Sequence, residues 1–272
     1  MMALKEHLNP FDVQLRKELG EKSVKFANKY LYPYVTGRFA PEDVVFLNYG
    51  YEEDPPMDLP LDAADETYRR CINLYHRTAT QVDIAGKDVL EVGCGHGGGA
   101  SYLVRYLHPA SYTGLDLNPE GIAFCRKRHP LAGLEFVQGD AENLPFPEKS
   151  FDIVVNVESS HCYPNFPQFL TEVARVLRPG GHFLYTDCRV TRSVAEWERA
   201  LADAPLTMLA RVDIEPEIAR GMERTLDQSI AVIDRTVPKL LRGFARVQAA
   251  WGQKTLVKGD LAYRLYCFHK DG

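Results

Sequence analysis

The chain has 272 residues, 45% of them hydrophobic and 25% charged, with 32 Lys plus Arg against 37 Asp plus Glu and a formal net charge of −5. This ordinary globular composition excludes a disordered chain, a collagen and a coiled coil. The acidic balance and the absence of a long basic stripe argue against a nucleic-acid partner. One short basic patch, Arg126-Lys127-Arg128-His129, reads as a helix C-terminus favoured by the macrodipole. Six scattered cysteines form no C-x-x-C pair and read as the reduced thiols of a cytoplasmic protein. The opening MMALKEHLNPFDVQ lacks the apolar run of a signal peptide, and no stretch approaches the ~20 apolar residues of a membrane span.

In chain order, residues 2–38 are mostly helical by period, with Leu15, Leu19, Phe26 and Tyr30 as apolar positions. Residues 41–62 hold four prolines and many acids and read as an extended connector. Helix returns over 63–82, where Tyr68, Ile72, Tyr75 and Ala79 fall at i, i+4, i+7 and i+11. Strand and helix then alternate. Strands are expected at 87–92, 111–115, 134–138, 151–157 and 182–186. Helices are expected at 97–107, from the Asn118 cap to about His129, and over 167–177, stopped by Pro179-Gly180-Gly181. The alternation predicts an α/β fold with a doubly wound, mostly parallel sheet.

Beyond the fifth strand, Ser193-Val194-Ala195-Glu196 has the form of a capping box and Glu215-Pro216-Glu217 starts another helix. Residues 190–245 therefore read as a largely helical cap insertion. Its apolar residues Leu201, Leu206, Met208, Leu209, Ile214, Ile218 and Met222 are expected to pack on the sheet or line an acceptor pocket, with Trp197 and Trp251 as further lining candidates. Arg189, Arg192, Arg199, Arg211 and Arg220 read as surface charges. LAYRLYCFH (261–269) makes a terminal strand. The organisation is thus an N-terminal helical or lid segment, 1–82, and a Rossmann-like core, 83–272, carrying the cap at about 190–245.

The most informative segment is VLEVGCGHGGG (89–99), a strand running into a glycine loop that opens a helix. Gly93 and Gly95 let the backbone turn tightly and a ligand approach it. Gly93-x-Gly95-x-x-Gly98 also matches the dinucleotide fingerprint. Glu91 separates the two readings. A carboxylate two residues before the loop repels a pyrophosphate and attracts an amino group or a sulfonium, and S-adenosyl-L-methionine carries both. Asp116 ends the second strand, where a carboxylate accepts from a ribose diol. Asp140 and Ala141 follow the third, placed for an adenine amino group and a ring nitrogen. Leu117, beside Asp116, and Asn156, near the end of the fourth strand, complete the expected cofactor set.

On these motifs the chain resembles the class I S-adenosylmethionine-dependent methyltransferases. More narrowly, it resembles the phthiotriolone/phenolphthiotriolone dimycocerosate O-methyltransferases and their relatives acting on glycopeptidolipid hydroxyls. The resemblance rests on YEEDPPMDLPL (51–61), INLYHRTATQVD (72–83), CGHGGGASYL (94–103), LHPASYTGLDLN (107–118), GDAENLPF (139–146), NVESSHCYP (156–164), RVLRPGG (175–181) and YRLYCF (263–268). It implies O-methylation of a hydroxyl on a lipid, polyketide or glycosylated natural product. A C-methyltransferase or a non-methylating cyclase on the same fold is the alternative. A nicotinamide oxidoreductase is opposed by Glu91.

His161, after the fourth strand, is the candidate general base, since neutral imidazole accepts a proton near neutral pH and similar O-methyltransferases place a His in this loop. Glu158 orients the site or binds substrate. Asp187, ending the fifth strand, positions the acceptor, orients His161, replaces it as base or helps hold a metal. No ligand cluster is close enough in sequence to claim a metal. His96 reads as a loop packing residue. Tyr49, in Asn48-Tyr49-Gly50-Tyr51, resembles the element that closes over the methionine part of the cofactor. The expected partner is a small-molecule or lipid-like hydroxyl acceptor. No nucleic acid and no membrane span are expected, and homodimerisation is left open.

Overall fold

In a computed structural model, residues 44–236, 242–243 and 258–272 are described. The helical expectation for 2–38 and the role of Trp251 lie outside them.

Residues 44–62 run without regular structure, as their prolines require. A 3₁₀ turn at Glu66–Tyr68 leads into α1 (Arg69–Ala79), which buries Ile72, Leu74, Tyr75 and Ala79. The core follows as β1 (Asp88–Val92), α2 (Gly98–Leu107), β2 (Ser111–Asp116), α3 (Pro119–Arg128), β3 (Leu134–Gln138), β4 (Phe151–Val157) and α4 (Phe166–Val176). α3 begins as its sequence dictates: the Asn118 side chain accepts the Glu120 N–H and Pro119 takes the first turn. Its basic C-terminal turn holds Arg126, Lys127 and Arg128.

Then come β5 (Leu177–Val190), α5 (Val194–Ala202), β6 (Thr207–Asp213), α6 (Glu215–Thr236) and β7 (Leu261–His269). The seven strands lie in the order β3-β2-β1-β4-β5-β7-β6. β1 to β5 are parallel, and β7 and β6 add antiparallel partners at one side. The strand order reverses between β1 and β4, the switch point beyond whose carboxyl ends such sheets bind ligands.

Side chains alternate between two buried layers. Val89, Leu184, Cys188, Tyr263 and Leu265 join one, with α1, α2 and the start of α6. Leu90, Phe183, Tyr185, Tyr266 and Phe268 join the other, with α4 and α5. In the second layer Phe183, Tyr185, Tyr266 and Phe268 stack across β5 and β7 with centroids 5.2–5.9 Å apart. Each such pair contributes about 0.5–1.5 kcal/mol beyond its buried area. The stack therefore fixes the part of β5 that carries Asp187.

Three expectations change. The helix ends at Val176, before Pro179-Gly180-Gly181, and the strand expected to begin at 182 begins at Leu177: β5 pairs Leu177 with Phe151, then His182 with Ile153, so 178–181 bulge out. The Gly180 N–H donates to the Lys270 carbonyl instead. At α5, Ser193 precedes the helix as expected but its side chain makes no capping hydrogen bond.

The third change concerns 190–245, which is not all helical. β6 lies within it, drawn onto the outer edge of β7, where Asp213 meets Arg264 and Thr207 meets Asp271. The segment TMLARVD has no clean two-residue alternation, so tertiary pairing, not local pattern, makes it a strand. Met208 and Leu209 are consequently exposed. Leu201, Ile214, Ile218 and Met222 pack in the two cores, with Leu206 half-buried against the second. Among the described residues, the expected apolar lining is thus core or edge strand.

Candidate active site

The glycine loop leaves β1 with Gly93, Gly95 and Gly97 all at positive φ, 80°, 55° and 76°, a region costly for residues with a Cβ. α2 has no capping side chain. Its first N–H, from Gly98, donates to the Val45 carbonyl of the extended segment at 3.0 Å. His96 anchors that segment too, with Nδ1 2.6 Å from the Val44 carbonyl, which makes it the packing residue the sequence suggested. Residues 44–49 thus form a strap across the loop.

Glu91 lies beneath the loop, wholly buried. Its carboxylate accepts from the hydroxyls of Tyr75 and Tyr112, both at 2.9 Å. Burial pushes its pKa up to about 7, against those two donors. Tyr75 also fills the space beside Gly99, where a Cβ would fall inside the ring. Asp116 accepts from the N–H groups of Gly95 and Asn118, each at 2.9 Å. It thereby fixes the loop's shape and brings its carboxylate to the end of β2, with Leu117 following. Asp140 accepts the Glu142 N–H at 3.0 Å, and Ala141 is buried at the end of β3.

Asn156 reaches the Val92 carbonyl at 2.8 Å and the Ser159 hydroxyl at 2.7 Å. This ties the ends of β1 and β4 together at the switch point. Among the described residues its Oδ1 is buried with no hydrogen-bond partner. Acceptors on successive strand ends, a positive-φ loop and an unpaired carbonyl oxygen between them fit a nucleoside carrying a cationic sulfur and an amino group.

Beyond β4 the chain turns through Glu158, at φ 47°, into a 3₁₀ turn at Ser160–Cys162. Glu158 accepts the Tyr49 N–H at 2.9 and 3.1 Å, which joins the strap to this turn. Burial pushes its pKa up to about 7, against the nearby Tyr263 hydroxyl and the Tyr49 N–H.

His161 Nδ1 lies 2.7 Å from Asp187 Oδ1. Asp187 is fully buried and also accepts from the Ser160 hydroxyl at 2.6 Å, the His161 N–H at 2.9 Å and the Cys188 N–H at 2.8 Å. Arg189 Nη1 sits 3.2 Å away. Burial alone would raise this carboxyl's pKa; His161 and Arg189 instead hold it well below the usual range. For His161, burial works downward, but Cys162 and Asp187 outweigh it and push the imidazole up to about 9.

Donor atoms of His161, Asp187 and Cys188 lie within 4.8 Å of one another, a grouping that 26 residues of separation hides in the sequence. His161 and Asp187 already pair with each other, and a cation would have to displace Arg189 from Asp187.

The structure therefore brings Tyr49, Glu158, His161 and Asp187 together, and sets Glu91, Gly93, Gly95, Asp116 and Asn156 around the neighbouring loop. Sequence reasoning missed Ser160, inside the very stretch that carries the resemblance, and misassigned Arg189. Arg189 is buried, not a surface charge, because two-residue alternation along β5 puts it on the same face as Tyr185 and Asp187. Trp197 packs against Tyr185 and Tyr266 in the core.

Residues 90–185 match the model of the family described as "Methyltransferase domain". The chain is 60% identical over 254 residues to the fatty-acid O-methyltransferase of Mycolicibacterium smegmatis, covering 93% of each chain. It is 57% identical over 247 residues to the phthiotriol/phenolphthiotriol dimycocerosates methyltransferase of Mycobacterium tuberculosis, covering 89% of this chain and 92% of that one. Among solved structures, the [4+2]-cyclase SpnF superposes with a TM-score of 0.71 at 19% identity, over 91% of this chain and 97% of that one. At that identity the likeness concerns the fold alone.

Proposed function

The chain belongs to the S-adenosylmethionine-dependent methyltransferases, in the branch of the phthiotriol/phenolphthiotriol dimycocerosates methyltransferases, and from that premise we propose that it methylates an oxygen of a lipid-like acceptor. The observation that carries the reading is the 2.7 Å His161–Asp187 contact beside the switch point. The donor supplies an electrophilic methyl group on a sulfonium. His161, oriented through Nδ1, offers Nε2 to the acceptor hydroxyl. As the acceptor oxygen would take the methyl, the sulfur–methyl bond would break to leave a neutral thioether, the O–H bond would break and its proton would pass to Nε2. Asp187 orients the imidazole and stabilises its cation. It is a poor base itself, because four hydrogen bonds and Arg189 already hold its charge.

Asp116 and Asp140 are assigned to the ribose and adenine, and Tyr49, held by Glu158, to the methionine end. Glu91 shapes the loop from below. A lipid-like acceptor matches the relatives, whose names specify a fatty acid and dimycocerosates. The net charge of −5 argues against a nucleic acid. Among the described residues no helix is long and apolar enough to cross a membrane. Among the described residues no cysteine is in a disulfide, which fits a cytoplasmic setting.

A second acceptor class follows from the upward shift of His161. As a cation it would pair with a fatty carboxylate, which needs no base. Incubation with a trideuteromethyl-labelled donor and a panel of long-chain alcohols, fatty acids, glycosides and small polar metabolites tests the assignment. Label is expected on oxygen in the long-chain compounds. Preference for small polar metabolites, or label on carbon, would overturn it.

A further inference from the structure

Tyr185, Asp187 and Arg189 line one face of β5, and a buried hydrogen-bonded chain runs along it from α5 to His161. Trp197 Nε1 donates to the Tyr185 hydroxyl at 3.0 Å, and Tyr185 lies 2.6 Å from the Ser160 hydroxyl. Ser160 lies 2.6 Å from Asp187 Oδ2 and also accepts from Arg189 Nη2 at 3.0 Å. An indole and a guanidinium are donors only. Tyr185 must therefore accept from Trp197 and pass its own proton toward Ser160. Ser160, already accepting from Arg189, must give its proton to Asp187. Every donor in the chain is thereby aimed at Asp187.

The Arg189 guanidinium lies over the Phe166 and Trp197 rings, 5.1 and 4.8 Å from their centroids, and donates to the Cys188 carbonyl at 2.7 Å. Packing alone does not explain it. A buried cation is costly in lost hydration, and an apolar side chain of similar volume would fill the sandwich without that cost. Its effect is on charge. With His161 protonated, the trio His161, Asp187 and Arg189 carries +1; with His161 neutral, it carries zero. In a buried site Arg189 therefore favours the neutral imidazole that Asp187 alone would drive toward the cation.

We infer that Arg189 is a positioning residue for methyl transfer, acting through Asp187 and Ser160 to orient His161 and to limit the protonation that Asp187 alone would impose on its imidazole. The inference rests on the reading of His161 as base. The other groups around the pair are accounted for. Cys162 shares the turn and raises the His161 pKa. Tyr185 and Cys188 on β5 and Tyr263 on β7 are pushed well above their usual ranges by burial and stay neutral. Tyr49 on the strap, shifted upward by burial, does the same. Glu158, near 7, is present in every variant compared.

The test is an NMR titration of the His161 ring in the full chain, which needs no acceptor. Wild type is compared with Arg189→Gln and Arg189→Lys, with His161→Ala used to assign the resonance. Loss of the cation in Arg189→Gln is expected to raise the His161 midpoint by roughly one pH unit, while Arg189→Lys, which keeps the charge, stays close to wild type. Where Arg189→Gln fails to fold, Arg189→Met suits the apolar sandwich and carries the same measurement. An unchanged or lowered midpoint in the folded neutral variant, or equal midpoints for the neutral and Lys variants, would overturn the inference. Normal turnover of His161→Ala would instead overturn the base assignment itself, so the two failures are distinguishable.

Discussion

His161→Ala is expected to lower turnover on a long-chain alcohol by roughly 10²–10⁴-fold, the usual contribution of a positioned general base, or about 3–5 kcal/mol of barrier. Cofactor affinity should change little, because the glycine loop and Asp116 are shaped by Tyr75, Tyr112 and backbone N–H groups that His161 does not touch. The fold should survive, since Asp187 keeps Ser160, Arg189 and two N–H donors. Steady-state kinetics with calorimetric titration of the cofactor check both halves. Near-normal turnover would make His161 a structural residue. A loss confined to KM, on a fatty acid, would favour the carboxylate acceptor.

Asp116→Ala is expected to weaken adenosylmethionine binding by ten- to a hundredfold or more, the equivalent of about 1.5–3 kcal/mol for a hydrogen bond to a charged group. The same change releases the Gly95 and Asn118 N–H groups, so the loop should also lose its shape. Asp116→Asn separates the two effects. It keeps one carbonyl oxygen for a backbone donor but removes the charge and half the acceptor capacity, and it should bind at an intermediate level. Calorimetry showing equal affinity in wild type and Asp116→Ala would take Asp116 out of the cofactor site.

The parts of the molecule that were legible in the sequence are those encoded locally. LEFVQ and FDIVVNV are strands at the limits expected, because alternating or β-branched apolar segments between turn residues leave little alternative. Asn118-Pro119 starts its helix for the same local reason. β6 was illegible because its partners on β7 lie 51–62 residues further along the chain and no alternation marks it. Arg189 was misread because its spacing from other arginines says nothing about its neighbours; only its parity with Asp187 on β5 does. The strand ends bearing Asp116, Asp140 and His161 could be listed from sequence. That Asp187 would meet His161 across 26 residues, and that Tyr75 would cap Glu91, depended on how the strands pack side by side.

As a base, His161 would work with a pKa that its neighbours have raised to about 9. In the free enzyme the imidazole is then mostly protonated at pH 7 and becomes competent as pH rises. The most direct measurement is kcat/KM against pH for methyl transfer to a long-chain alcohol, since that ratio reports the free enzyme's titrating groups. Wild type should climb about tenfold per pH unit from pH 7 and level off near 9, and the residual activity of His161→Ala should lack that inflection. A wild-type profile flat from pH 7 to 9.5, or the same inflection retained in His161→Ala, would contradict it.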